Sequence, residues 1–204
     1  MRTDTVGVTS KGEHRWHAAQ PCGTGMSGKA ILAMAARLSG FLTAILGVET
    51  AEEVVLLECA SIVSYPGAVA QSWHADSDWD AACDASTVVL QLALADLSDP
   101  TLGAIEVRPF VASLDDTVDL PMRAPAGTVV AYDSKVTHRG GENSNELGTA
   151  RPVLYTTWAA RDDGLLPRNL GYTIEADDVG RWTLQGLVDA HAKPKAKNKR
   201  RKRR

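Results

Sequence analysis

The spacing of apolar residues changes near position 54 of the chain. Before it, apolar residues recur every three or four positions and form one stripe, which predicts a helix over about residues 27–46: Ile31, Met34, Leu38, Leu42 and Ile45. Ser27 suits the N-cap of this helix and Gly47 suits its end. Because Arg37 and several small polar residues interrupt the apolar stretch, we interpret it as a core helix and not as a membrane span.

From residue 54 onward, short apolar runs alternate with turn residues. The runs cover residues 54–65, 87–95, 103–112, 127–132, 136–139 and 151–160. Turn-forming segments such as Tyr65-Pro66-Gly67 and Pro125-Ala126-Gly127 separate them. This pattern is typical of a sandwich or barrel of short strands. A last helix is predicted between Asp177 and Ala192.

Length and composition indicate one globular domain. The 204 residues include 44% hydrophobic and 23% charged side chains, which is the usual balance of a soluble protein with a single core. We divide the chain into a flexible N-terminal arm (1–26), one domain (27–192, with its strand-rich core at about 54–160) and a disordered basic tail (193–204).

The net charge of −3 conceals an uneven distribution. The tail 193–204 holds nine of the 22 basic residues and no acid, which leaves 13 basic and 25 acidic side chains in the body. Such a basic run is self-repelling and disordered. It resembles a nuclear-import signal, so contact with an import receptor or another polyanion is one interpretation. An inert tail, or one that docks on the acidic body, is the other.

Cysteine usage predicts the compartment. Cys22, Cys59 and Cys83 are odd in number and widely spaced, without a C-x-x-C pair, which argues against a disulfide framework and for a reducing compartment. The first residues contain no apolar segment of the kind that a secretory signal needs. We therefore predict an intracellular protein without a membrane partner, cytoplasmic and, if the tail acts as an import signal, also nuclear.

A possible metal site stands out among the polar residues. His74 and Asp76 lie two apart in His74-Ala75-Asp76, so on a strand both side chains leave the same face. With a distant His138 they form the two-histidine, one-carboxylate set that holds iron(II) and leaves coordination positions open. Arg151 begins the next strand-like run, and its guanidinium is suited to a carboxylate. A structural His–Asp pair and a surface arginine are the plainer alternatives.

Further pocket residues follow from the period of two along a strand. Val153, Tyr155 and Thr157 share the face of Arg151, so Tyr155 or Thr157 could bond a co-substrate. Gln91 is polar within an apolar run and needs a buried partner, for which a ligand carboxylate or a backbone group would serve.

Gln71 lies three positions before His74. Alternation places its side chain on the opposite face, so we expect it to support the site from behind.

These motifs together resemble the phytanoyl-CoA dioxygenase family of iron(II)/2-oxoglutarate oxygenases, over about Ser61 to Ala160. The matching segments are 71–76, 92–97 leading to 103–109, 127–133, and 137–145 followed by Arg151. The resemblance implies an α+β, mainly β fold, a double-stranded β-helix of the jelly-roll or cupin-like type with a covering N-terminal helix.

The resemblance also implies an activity. Iron(II) held by His74, Asp76 and His138 would use dioxygen and 2-oxoglutarate, bound by Arg151 with Gln91, Tyr155 and Thr157, to oxidise a small-molecule or acyl-type substrate. Succinate and carbon dioxide are the co-products. Relatives that halogenate replace the carboxylate ligand by a small residue, so the Asp retained here favours hydroxylation.

The sequence leaves the substrate and two other functions open. After Arg108-Pro109 the family continues with Gly-Ser-His, whereas this chain has Phe110-Val111-Ala112, so the substrate class does not carry over. A cupin-like metal enzyme without 2-oxoglutarate would have no need of Arg151. A non-catalytic binding module would have no need of the metal ligands.

Overall fold

The computed structural model describes residues 8–10, 14–22, 25–77, 87–108, 119–161, 173–174 and 180–192. Nine strands and two helices lie in these ranges. The strands are β1 (Val8–Ser10), β2 (Arg15–Ala19), β3 (Val54–Ser64), β4 (Thr87–Ala93), β5 (Ile105–Arg108), β6 (Leu120–Pro121), β7 (Val129–Asp133), β8 (Thr137–Gly140) and β9 (Arg151–Ala160). The helices are α1 (Gly25–Ile45) and α2 (Leu184–Ala192).

The strands form two antiparallel sheets. The larger has the order β1-β2-β3-β9-β4-β7, and the smaller has the order β6-β5-β8. The long strands β3 and β9 pair along their whole length at the centre of the larger sheet. The mainly β domain that the sequence predicts is confirmed. The strand-like runs of the sequence correspond to β3, β4, β5, β7, β8 and β9.

One face of the larger sheet carries the hydrophobic core. Buried residues of α1, α2, β3, β4 and β9 form one cluster there, among them Ile31, Leu42, Leu56, Leu90, Trp158 and Leu187. By length and composition α1 would also suit a membrane span, but its stripe of apolar residues packs in this cluster. Burial of each large aliphatic side chain stabilises the folded state by about 2 kcal/mol relative to leaving that side chain in water.

A bulge in β3 changes which side chains face the helices. The pairing of β3 with β9 shifts between Leu56 and Glu58, so Leu56 lies opposite Trp158 and Glu58 lies opposite Thr157. One extra residue reverses the alternation of side chains between the two faces. Leu56 therefore packs in the core, whereas Glu58 points to the other face of the sheet, towards the cavity described below.

The N-terminal region contributes a strand that the sequence analysis did not predict. Arg15–Ala19, assigned to the flexible arm, pairs with β3 in the register Arg15 to Ser64 and His17 to Ile62. Arg15 is buried. The five residues of β2 show no apolar alternation because two of their inward positions are an arginine and a histidine. Residues 1–7 of the arm, Cys83 and the tail 193–204 lie outside the described residues.

Candidate metal centre

Three side chains from two distant segments of the sequence converge on one point. His74, Asp76 and His138 each offer one ligand atom, and these atoms lie within 4.8 Å of one another. The carboxylate oxygens of Asp76 are 3.8 Å from Nε2 of His74 and 3.5 Å from Nε2 of His138. A single ion between them would have two nitrogen ligands and one oxygen ligand, the set that suits iron(II) in non-heme oxygenases.

Both histidine rings are fixed by the main chain. Nδ1 of His74 donates to the carbonyl oxygen of Ser72 at 2.8 Å, and Nδ1 of His138 donates to that of Val136 at 2.9 Å. A carbonyl oxygen only accepts, so each Nδ1 carries the hydrogen and each Nε2 lone pair is free for a metal.

The segment that carries His74 is held beside β8. His74 and His138 exchange both main-chain hydrogen bonds, at 3.0 and 2.8 Å, and the amide of Gln71 donates to the carbonyl of Gly140. Four residues, 71–74, thus lie opposite three, 138–140, so the segment has one extra residue, as in a β-bulge.

This bulge corrects the predicted orientation of Gln71. Its side chain does not point away from His74 but lines the same cavity, and its Oε1 accepts a hydrogen bond from the amide of Gly140 at 2.9 Å.

Trp73 fixes the same segment from outside. The guanidinium groups of Arg108 and Arg139 lie over its ring, at 3.8 and 4.4 Å from the ring centre. The two arginines form ion pairs with Asp119 and Glu106 of the small-sheet region. With Trp73 held on one side, the neighbouring His74 is directed to the other.

Burial sets the protonation of His138. It lowers the pKa of His138, and the neighbouring His74 acts in the same direction, whereas the charge of Asp76 and the hydrogen bond to Val136 oppose it. The neutral imidazole, which is the form that binds a metal, is favoured as a result. The ring of Tyr132 packs against His138 with 4.8 Å between the ring centres.

The three residues line a cavity of about 280 Å³ between the two sheets. Gln91, Arg151 and Tyr155, which the sequence predicts as co-substrate ligands, line it as well. Arg151, Val153 and Tyr155 all line this cavity from one face of β9, whereas Thr157, which was expected to share that face, is not among the lining residues. The cavity lies on the face of the larger sheet that is opposite the hydrophobic core.

Arg151 is a buried cation without a carboxylate partner among the described residues. It is 4% exposed, and its Nη2 and Nη1 donate to the hydroxyl of Ser64 at 2.9 Å and the carbonyl of Gly141 at 3.3 Å. Its Nε is the one buried side-chain nitrogen or oxygen in the described ranges that lacks a hydrogen bond. Burial, with a smaller contribution from the charge of Arg15, lowers the pKa of Arg151 to about 10, so the group is charged at neutral pH.

Thr157 reaches the cavity only through a neighbour. Its hydroxyl donates to Oε2 of Glu58 at 2.6 Å, and it is Glu58 that lines the cavity. The sequence predicts that Thr157 contacts a co-substrate directly. In the structure Thr157 instead orients the buried carboxylate of Glu58.

Tyr155 shares a hydrogen bond with a residue that the sequence analysis did not identify. Its hydroxyl is 2.9 Å from Nε2 of His17, and the two rings stack 5.8 Å apart. Burial, followed by the charge of Glu58, raises the pKa of Tyr155. The phenol is therefore neutral over the physiological range and has a hydrogen to donate.

Sequence reasoning missed His17, Glu58 and Tyr132 as cavity residues. Glu58 carries the signal that identified Gln91, a polar residue inside an apolar run, and could have been found in the same way. The position of Tyr132 in the cavity depends on its pairing with Val89 of β4. It could be predicted only if the strand pairing were known.

Comparison of the fold with solved structures finds several neighbours. AviO1 from Streptomyces viridochromogenes Tue57 aligns with a TM-score of 0.58 at 20% identity, over 82% of this chain and 77% of its own. HygX from Streptomyces hygroscopicus, with nickel, 2-oxoglutarate and hygromycin B bound, aligns with a TM-score of 0.58 at 13% identity, over 86% and 85%. A prolyl-4-hydroxylase of Pseudomonas putida aligns with a TM-score of 0.52 at 24% identity, over 76% and 77%.

The chain shares the fold of these three proteins. No protein-family model matches the sequence, and no curated protein matches it.

Proposed function

We propose that the protein is an iron(II)/2-oxoglutarate-dependent dioxygenase that hydroxylates a small-molecule or acyl-type substrate. One observation carries the proposal: a facial set of two histidines and one carboxylate shares its cavity with a buried arginine that has no carboxylate partner in the described part of the chain. The first group suits iron(II), and the second suits the distal carboxylate of 2-oxoglutarate.

The residues of the metal centre have a geometric task. His74, Asp76 and His138 would hold one side of a bound ion and would leave its remaining positions to ligands from the cavity. The Nδ1 bonds to backbone carbonyls keep both rings aimed at it. Iron(II), when bound, supplies the redox chemistry by which dioxygen and 2-oxoglutarate yield succinate, carbon dioxide and a hydroxylated substrate.

Arg151, which lines the same cavity, anchors the co-substrate. A buried guanidinium that lacks a counter-ion costs stability, and a carboxylate bound beside it in the cavity offsets this cost. The neutral hydroxyl of Tyr155 and the amide of Gln91 line the same cavity and serve as donors to the co-substrate. These groups exclude water from it and fix its orientation.

The fold supports the same proposal. HygX, a neighbour in fold, binds nickel and 2-oxoglutarate, and nickel is a common stand-in for iron(II) at such sites. The two antiparallel sheets of this chain, with the cavity between them, fit the double-stranded β-helix of the phytanoyl-CoA dioxygenase family. A cupin-like enzyme that does not use 2-oxoglutarate would gain nothing from the buried charge of Arg151.

Anaerobic titration tests the proposal. The protein is loaded with iron(II) and titrated with 2-oxoglutarate while the weak visible charge-transfer band of the chelate is followed. We expect one equivalent of each to bind. Arg151→Ala should retain iron but need at least about thirtyfold more 2-oxoglutarate, because removal of one partner of a buried charge pair costs about 2–5 kcal/mol. The exposed helix residue Arg37, changed to Ala, is the matched control.

Two outcomes would contradict the proposal. Iron binding without any charge-transfer band would favour the cupin-like alternative, and absence of stoichiometric iron would favour a non-catalytic binding module.

A further inference from the structure

A second buried guanidinium lies next to Arg151. Arg15 and Arg151 are on β2 and β9, the two strands that flank β3, and both are registered with the same residue, Ser64. Arg15 is 2% exposed, slightly less than Arg151. The two cations thus face the same end of the larger sheet from either side of one serine.

The two arginines share both of their hydrogen-bond acceptors. Ser64 Oγ accepts from Nε of Arg15 at 2.9 Å and from Nη2 of Arg151 at 2.9 Å. The carbonyl of Gly141 accepts from Nη2 of Arg15 at 3.1 Å and from Nη1 of Arg151 at 3.3 Å. Each guanidinium is therefore positioned by the same two neutral groups, so a displacement of one affects the other.

This arrangement is unfavourable without an anion. Like charges that are buried together repel each other, and burial makes the repulsion stronger than in water. The charge of Arg15 contributes to the lowered pKa of Arg151. Neither arginine forms an ion pair with a carboxylate in the described residues, where Arg108 and Arg139 both do. A pair of buried cations with only neutral partners is a built site for a carboxylate.

We propose that Arg15 is a positioning residue of the co-substrate site, which holds Arg151 in place through Ser64 and Gly141 and adds a second positive charge for the distal carboxylate of 2-oxoglutarate. This inference rests on the proposed function. It gives the N-terminal strand β2 a part in co-substrate binding. It also predicts discrimination against 2-oxo acids that lack a second carboxylate.

A comparison of two ligands separates this role from a general structural one. 2-Oxoglutarate and 2-oxobutanoate chelate a metal through the same 2-oxo acid group, but only the first has a distal carboxylate. Both are titrated anaerobically into the iron(II)-loaded protein, the second at millimolar concentration, and the charge-transfer band gives each dissociation constant. The proteins are the wild type, Arg15→Gln, Arg15→Lys and the control Arg37→Gln.

We expect Arg15→Gln to weaken 2-oxoglutarate tenfold or more and to change 2-oxobutanoate less than twofold. Arg15→Lys keeps the charge but loses the fork of donors, so its loss for 2-oxoglutarate should lie between those of Arg15→Gln and the wild type. If Arg15→Gln does not fold, the dissociation constants of the two ligands for Arg15→Lys decide the question. This variant should still bind 2-oxoglutarate more weakly than the wild type does, with 2-oxobutanoate binding unchanged.

Equal weakening of both ligands, or no weakening of 2-oxoglutarate, would overturn the inference while the wild type still binds 2-oxoglutarate. A wild type that binds iron but not 2-oxoglutarate would overturn the proposed function itself.

Discussion

His74 and His138 face each other across a single β-bridge, and each is oriented in the same way. In both residues Nδ1 donates to the carbonyl oxygen two positions earlier in the chain, that of Ser72 or Val136. The bridge sets the distance between the two backbones, and the two carbonyls set the direction of the rings. Both rings are therefore oriented by bonds at Nδ1, which leave the Nε2 atoms that would bind a metal facing Asp76.

This preorganisation gives the first prediction. His74→Ala, Asp76→Ala and His138→Ala should each abolish stoichiometric iron(II) binding and leave the domain folded, because a set of three ligands acts as a unit. Metal analysis after anaerobic loading measures the first effect, and a cooperative thermal unfolding curve measures the second. His191→Ala, at the exposed end of α2, is the control. Full iron occupancy in all three variants would show that the metal site is elsewhere.

The second prediction concerns Gly140, which lies where Gln71 meets Arg151. A Cβ at Gly140 would lie 2.6 Å from Oε1 of Gln71 and 3.1 Å from Nη2 of Arg151, so Gly140→Ala must displace both side chains. Both atoms are the ends of flexible side chains, so the main cost is loss of the hydrogen bond from the Gly140 amide to Gln71, about 1 kcal/mol. We expect a lower free energy of unfolding in urea and weaker 2-oxoglutarate binding, with iron binding retained.

Gly40 provides the opposite case for comparison. It lies in α1, and a Cβ there would meet nothing within 4 Å. Gly40→Ala should therefore stabilise the protein by about 0.5–1 kcal/mol through helix propensity alone. If both alanine variants change the free energy of unfolding in the same direction, the close approach at Gly140 is not the cause.

The sequence pointed to the candidate metal ligands, Arg151 and Gln91, but not to the other cavity residues His17, Glu58 and Tyr132. The candidate metal ligands and Arg151 follow from motif order, and Gln91 follows from its polar side chain within an apolar run. Alternation failed at Gln71 because a bulge adds one residue, and a bulge is decided by strand pairing and leaves no mark in the sequence. Glu58 faces the cavity for the same reason. Arg15 gave no signal, since a five-residue strand with polar inward positions lacks the apolar period that identifies strands.

A third prediction concerns Tyr155 and alkaline pH. The pKa of Tyr155 is raised in the folded state, chiefly by burial. In the unfolded chain the same phenol has its ordinary pKa of about 10. The stabilisation is thus fully present below pH 10 and is lost as the pH rises above it, because the unfolded state then releases a proton that the folded state keeps.

Urea unfolding of the metal-free protein tests this sign. Between pH 8 and 9, the wild type and Tyr155→Phe should differ by a constant free energy of unfolding. Above pH 10 the wild type should lose about 1.4 kcal/mol more per pH unit than the variant. Parallel curves up to pH 11 would mean that the hydroxyl of Tyr155 ionises in the folded protein as it does in the unfolded chain.

The last prediction concerns the basic tail 193–204, which holds nine positive charges against an acidic body. If the tail contacts only an import receptor or another polyanion, its removal should leave turnover and the Michaelis constants unchanged and should reduce retention on a polyanion column. We favour this outcome because the catalytic motifs end at the strand that begins with Arg151, well before the tail.

A tail that docks over the cavity would behave differently. Screening acts over roughly 8 Å at physiological ionic strength, so such docking would be loose and would weaken as salt is added. Truncation would then change the Michaelis constant at low salt and remove most of its salt dependence. Steady-state kinetics of the full-length and truncated proteins at low and physiological salt distinguish the two cases. Altered turnover after truncation would show that the tail takes part in the reaction and would contradict the outcome that we favour.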